Sequence, residues 1–438
     1  TVATNGSNYF LDSLYVVSNP SADSGNNIIV NAEALNARVW GKTPLTKVGD
    51  IVMFHINRHY ELRDSTGKNG VAYKKQYDLP ADYDLNLIAK VEDHPVLKGF
   101  VPDLKTFDTI RVEGGLSPDR IFLNADAPQV TYATYNIYDG KVRVNGTDSA
   151  LTYLASVDRF TQNTMEIWNA NASGDVRTNL ITSNISIADP DSNQKFRIGA
   201  SLQQNGDEQV LQIAPGLMLN YQEWNVSQPN KIVFGSEGFY VQNFGINNGP
   251  ESITINSQSP TFNSPMRADI SNFMLSNITE VISKDTVLVN GVLAGNINLQ
   301  QLNPNPQITS VLDITNLSVL GDTIGNVNVN VRNASADAID ANVGITGYGN
   351  NITLNGLYYP TAVNGNNFDM TLALSPLNVA SIEGATMNQI KNTSGYLRGD
   401  LKVRGTMAAP TLNGQISTDQ LSTNVSMLNQ QFTMPNET

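Results

Sequence analysis

The chain contains no cysteine. That absence excludes disulfides, thiolate metal sites and cysteine nucleophiles together. A cytosolic protein can also lack cysteine, but the absence suits an extracytoplasmic bacterial protein, and that is the expectation here. Charge is scarce as well: 15% of residues are charged, against a globular average of about 25%. Asn, Ser and Thr fill the gap, a mix that suits β-structure with many turns. Basic residues are the minority, and the net charge is −13. With no basic stripe to neutralise phosphates, nucleic acid is not an expected partner. No apolar run reaches the roughly 18 residues of a spanning helix, and no signal-peptide pattern is visible. Both ends, "TVATNGSNYFLDSLYVV" and "QQFTMPNET", have strand character. The expectation is a piece of a longer protein, with any membrane anchor outside it.

What the sequence has in plenty is period-2 alternation. "GNVNVNVRN" sets Val327, Val329 and Val331 against Asn326, Asn328 and Asn330. "FDMTLAL" puts Phe368, Met370, Leu372 and Leu374 on one face, and "KVRVNG" separates Val142 and Val144 from Lys141 and Arg143. Asn-Gly turns at 145, 290, 355, 364 and 413 punctuate these runs. The pattern predicts an all-β, antiparallel-rich chain with one wet face per strand. Helices are few. One is expected to open at Asn277 as an N-cap, with Glu280 completing a capping box, and to reach about Lys284. A second is expected over Asn378 to Ile390, weakened by Gly384. A third is expected over Asp50 to Tyr60, with Ile51, Val52, Ile56 and Tyr60 on one stripe.

An internal repeat is the strongest signal. At an offset of 104 residues, Gly291, Leu293, Gly295, Ile297 and Leu299 fall on Gly395, Leu397, Gly399, Leu401 and Val403. Pro306 falls on Pro410, Phe273 on Leu377 and Ile278 on Ile382. The unit is a short helix, a strand with alternate glycines, a Pro-containing turn and further strands, with copies at about 273–327 and 377–431. No clean linker is visible. A division near residue 265 is expected, separating a β-rich part, 1–265, from the repeated part, 266–438.

Little of the sequence suggests chemistry. His55 and His59 have zinc-ligand spacing, but Ile56 stands where a metalloprotease needs Glu, and two partly exposed surface histidines are expected instead. His94 stands alone in a loop. Asp189, Asp191 and Asn193 begin like a calcium loop, but Gln194 and Ala200 occupy the positions that need Gly and Glu, so a turn is expected. Asp50, Glu61, Asp82, Asp84 and Asp103 are candidates for glycoside hydrolysis by residue type alone. Trp40, Trp168 and Trp224 are expected in a core or at a groove edge. Asn-x-Ser/Thr triplets follow from composition. No phosphate loop, metal, cofactor or catalytic set is expected, and the chain is not expected to be an enzyme.

"SGYLRGDLKVRGTMAAPTLNGQI", residues 394–416, resembles a motif that marks the C-terminal region of the TamB-like family (translocation and assembly module) of the AsmA-like superfamily. It carries Gly395, Gly399, Gly405, Pro410 and Gly414 at the motif's structural positions. Gly291, Gly295 and Pro306 answer to them in the first copy, which lacks a glycine matching Gly405. "NFMLSNITEVI" and "LNVASIEG" resemble the short helical segments before that motif in Bacteroidetes versions. The resemblance implies an elongated β-sheet curled into an open, apolar-lined trough, or β-taco. It implies a periplasmic protein anchored in the inner membrane. The implied partners are phospholipid acyl chains, moved between the membranes, and an outer-membrane barrel of the Omp85 type (TamA or BamA-like).

The residues give part of this independently. So few helices cannot cover so many apolar strand faces, so the sheet must curl over itself. Leu293, Ile297, Leu299, Val327, Val329, Val331, Met370, Leu372, Leu374, Leu397, Leu401 and Val403 are expected to line the trough. Gly399 and Gly405 would let the sheet bend or leave room for a chain. The rival expectation is a non-enzymatic structural or adhesive β-solenoid with a filled interior, binding carbohydrate or protein on its outer face.

Overall fold

The structure is a computed structural model. It describes residues 2–4, 7–19, 25–61, 77, 79, 82–163, 165–280, 287–301, 307–387, 389–434 and 436. The chain is all-β, built on curled antiparallel sheet that is not closed into a barrel. It divides into two compact units, 1–221 and 222–438. The expected division near residue 265 is not where the contacts divide. There, strand Glu251–Ser257 pairs directly with Met266–Met274, so the turn-rich "SQSPTFN" is a hairpin loop and not a linker.

In the first unit, successive strands from Leu14–Ser18 to Glu208–Ile213 pair antiparallel in chain order. The one short insertion is Leu104–Phe107, which extends the ladder beside Arg120–Tyr132. Directly opposed residues share a face. One row therefore runs Val30, Ala37, Ala89, Val112, Ala125, Val142, Ala155, Ala172, Ile185 and Ile198, one apolar side chain from each of ten strands.

The helix Val48–His59 lies across one end of this face. Its stripe packs Ile51, fully buried, against Tyr83, Leu85 and Leu116. Its last turn is tied to the tips of four hairpins. Arg58 Nη1 donates to Pro118 O at 3.3 Å and pairs with Asp148. His59 Nε2 meets Thr147 O at 2.8 Å. The amide of Asn179 donates to His59 O, and Tyr60 Oη donates to Gln204. The helix thus stops the end of the trough and leaves its length uncovered.

The second unit repeats the plan. Its ladder runs in chain order from Phe244–Asn248 to Gln430–Met434. The 104-residue repeat is reproduced in register, including its irregularity. Met266, Ala268, Ile270 and Phe273 oppose Leu299, Ile297, Gly295 and Leu293, with a shift between Ile270 and Phe273. Met370, Leu372, Leu374 and Leu377 oppose Val403, Leu401, Gly399 and Leu397, with the shift between Leu374 and Leu377. Pro306 lies outside the described residues; Pro410 opens the strand Pro410–Val425 and opposes Gly405.

Two expected helices differ from the sequence reading. The first spans Ser276–Thr279 with Leu275 at its N-cap. Asn277 sits inside it because its buried side chain donates to Glu251 Oε2 at 2.7 Å; its expected continuation over 281–284 lies outside the described residues. The second is not one helix but two 3₁₀ turns, Val379–Ile382 and Gly384–Thr386, ended by Met387 at φ +54°. Asn378 does cap the first turn, accepting from Ala380 N at 3.2 Å. These turns stop the end of their sheet as the longer helix does in the first unit: Ser381 meets Asn350, and Gly384 N donates to Asp322 at 2.7 Å.

Candidate functional site

All twelve residues expected to line a trough share one face of the second ladder. Leu293, Ile314, Val327, Ile345, Ile352 and Leu374 stand opposite one another in successive strands. Val329, Leu372 and Leu401 belong to the next row; Ile297, Val331, Met370 and Val403 to the one after. Leu299 and Leu397 flank these rows on the same face. Burial is uneven, however. Val327, Met370, Leu374 and Leu401 are buried, whereas the rest are half-buried. The middle of this face is packed, and it opens toward the last strands, where Leu412 and Ile416 are exposed.

The glycines of the repeat leave no hole. Gly295 has φ +136° and Gly399 φ +154°. A Cβ at either would lie 2.1 Å from a carbonyl oxygen of the next strand, Val311 O or Gln415 O. They permit a backbone bend and a close strand approach that no side chain allows. The expectation that such positions could make room for a chain does not hold at Gly399.

The first unit also has an open stretch of apolar face, where sequence reading nominated no lining residues. Leu123, Val142, Ile185 and Ile198 are 38%, 40%, 47% and 39% exposed although all four point to the apolar face. A groove of about 450 Å³ runs here over Ala125, Val142, Ala155, Ala172 and Ile185. Its floor is shallow-chained because alanines recur along the row, while Val130, Ile137, Val157 and Ile187 form its side. Beyond it, under the helix, lies a cavity of about 610 Å³, walled by Val52 and Ile56 on the helix and by Leu123, Val144, Leu151, Val176 and Ile181 on the sheet. The signal was present in "NANASGDV", where Ala170, Ala172, Gly174 and Val176 alternate with polar residues. Small residues carry little apolar surface, so this face does not stand out in the sequence.

The opposite faces carry the charge. Arg143 pairs with Asp126, Arg332 with Asp340 at 2.9 Å, and Arg404 with Asp369 at 3.4 Å. The Arg267 guanidinium holds the Asp269 carboxyl below the usual range. In the second unit this face has a concavity of about 620 Å³ lined by Asn296, Asn298, Thr309, Asn330, Arg332, Asp340 and Asn342.

The other sequence candidates find structural places. His55 and His59 are not surface residues: they are 1% and 4% exposed. His55 Nε2 meets Tyr83 Oη at 3.1 Å. Burial pushes the His55 pKa down, partly opposed by the Ser117 backbone. The helix stripe that buries Ile51 carries His55 and His59 inward with it at i+4 and i+8, a placement that ligand spacing alone does not express. His94 caps the helix Pro95–Phe100 and meets Glu33 at 3.3 Å. Asp189 folds a turn, accepting from Asn193 N at 2.8 Å. Asp82 and Asp84 both engage Lys42. Trp224 is buried against Phe273; Trp40 and Trp168 each lie under an arginine, Arg38 and Arg159. Among the described residues no three His, Asp or Glu side chains gather as a metal site, and no helix is long and apolar enough to cross a membrane. Comparison with known proteins returns no matching family model, no matching curated protein and no matching solved structure.

Proposed function

We propose that the chain is a periplasmic, TamB-like segment whose apolar trough shields lipid acyl chains between the inner and outer membranes. In this reading it is not an enzyme, its anchor to the inner membrane lies in a part of the protein outside this sequence, and it serves outer-membrane assembly with an Omp85-type barrel. The observation that carries the reading is the row of ten apolar side chains in the first unit, open to solvent at Val142, Ile185 and Ile198. A contiguous exposed apolar face is costly in water and marks a surface that meets apolar matter. Acyl chains supply that matter: each methylene withdrawn from water is worth about 0.8 kcal/mol. A trough of that kind needs shape and hydrophobicity and no reacting group.

The test is mass spectrometry of ligands extracted from protein purified without detergent. Phospholipid or other acyl species should accompany the protein. Protein that folds and carries no acyl species, and takes none from added phospholipid vesicles, overturns the reading. The polar concavity around Asn296, Asn330 and Asn342 favours a second reading, an adhesive outer face for carbohydrate. Binding on a glycan array, abolished by Asn330→Ala, would support it.

A further inference from the structure

We infer that the cavity beneath the helix Val48–His59 is a dead-ended holding site for a single unbranched alkyl chain, entered tail first from the open groove. The inference rests on the lipid-shielding reading and makes it more specific: on this side of the first unit a chain is held and not passed through. Five observations carry it. The volume, about 610 Å³, lies within the roughly 300–1,000 Å³ of small-molecule sites. At its margin His59 meets Thr147 and Tyr60 meets Gln204, and most of the remaining lining is apolar, so the occupant is hydrocarbon. The cavity continues into the groove along the same strands, since Leu123 and Ala125, and Val144 and Val142, are successive residues of one face. The floor that leads to it is made of small side chains, Ala125, Ala155 and Ala172, over which an extended chain can lie. Finally, the helix is fastened to hairpin tips at Pro118, Thr147, Asp148 and Asn179, which closes the far end.

A closed end sets a length limit, and that is measurable. Saturated fatty acids from octanoate to stearate would displace cis-parinarate from the full chain. Affinity should rise about fourfold per methylene and then level where the chain fills the cavity. Val144→Phe and Val176→Phe narrow the cavity; each should move the levelling point to shorter acids and weaken stearate at least tenfold, with thermal unfolding unchanged. As a check independent of variants, stearate with a nitroxide at its tail end should broaden the methyl signals of Val52 and Ile56 most. Unchanged levelling in folded variants, or broadening confined to Ile185 and Ile198, overturns the holding site and leaves the lipid-shielding reading standing. No binding of parinarate by the unaltered protein overturns both.

Discussion

Residue scale sets apart two kinds of apolar side chain that alternation alone makes equal. Leu401 and Ile185 both belong to the inward face of an alternating strand, yet Leu401 is 7% exposed and Ile185 is 47%. Period 2 gives the face; depth depends on what stands opposite, which the strand's own sequence does not encode. Leu401→Arg should therefore destabilise the second unit by several kcal/mol, on the order of 3–5 for an unpaired buried charge, seen as an early unfolding transition in denaturant. Ile185→Arg should leave unfolding nearly unchanged while lowering the lipid that co-purifies. The reverse pattern would place the open face in the second unit. His55 gives a pH prediction. Its pKa lies below the ordinary 6.5 because burial disfavours the imidazolium. As pH falls, the unfolded chain takes up the proton first, so stability is full above the unfolded value and is lost as pH drops through it. The melting temperature of the first unit should hold above about pH 7.5 and decline toward pH 5. His55→Gln should flatten that decline; an equally steep slope in the variant would exclude His55 as its source.

At the scale of elements, the repeat was legible because glycine at a positive φ is a backbone demand written in the side-chain code. Gly295 and Gly399 occupy equivalent sites in two copies, with the same carbonyl clash waiting at 2.1 Å. Gly295→Ala and Gly399→Ala should each cost about 1–3 kcal/mol, and by similar amounts, as measured by denaturant midpoints. A cost at one site only would mean the copies are not energetically equivalent. The short helices were harder to read. Asn378 caps one of them locally, but their extent is set by contacts with distant hairpins. Gly384 breaks the expected helix where a side chain would meet Val319 O at 2.0 Å, a neighbour 65 positions away in sequence. The helix Val48–His59 was read correctly from its stripe, since twelve residues suffice for a periodic signal. Ile51→Ala should cost about 2–5 kcal/mol, because Ile51 is fully buried.

For the molecule as a whole, the sequence carried the all-β class, the chain-order pairing implied by close turn signals, and the curl implied by too few helices. It did not carry the division into units. Turn signals recur along the whole meander, so composition marks no seam, and a hairpin loop such as 258–265 resembles a linker. It also did not carry where the apolar face stays open. Ten strands contribute one residue each to the row through Val142, about 43 Å from end to end at 4.8 Å per strand, and no short window contains it.

The fastening of the helix Val48–His59 has a consequence in time. Arg58 meets Asp148, 90 residues later, and Tyr60 meets Gln204, 144 residues later. During synthesis at about 5–20 residues per second, the helix waits roughly 7–30 s for its last anchor. Ile51 meets Tyr83, Leu85 and Leu116 as soon as those are made, but through that interval the last turn of the helix lacks its full set of fastenings. A chain shortened to end before Asn179 lacks the anchors at Asn179 and Gln204 altogether. The first unit thus acquires its closed end late, after nearly every strand of its wall has been made.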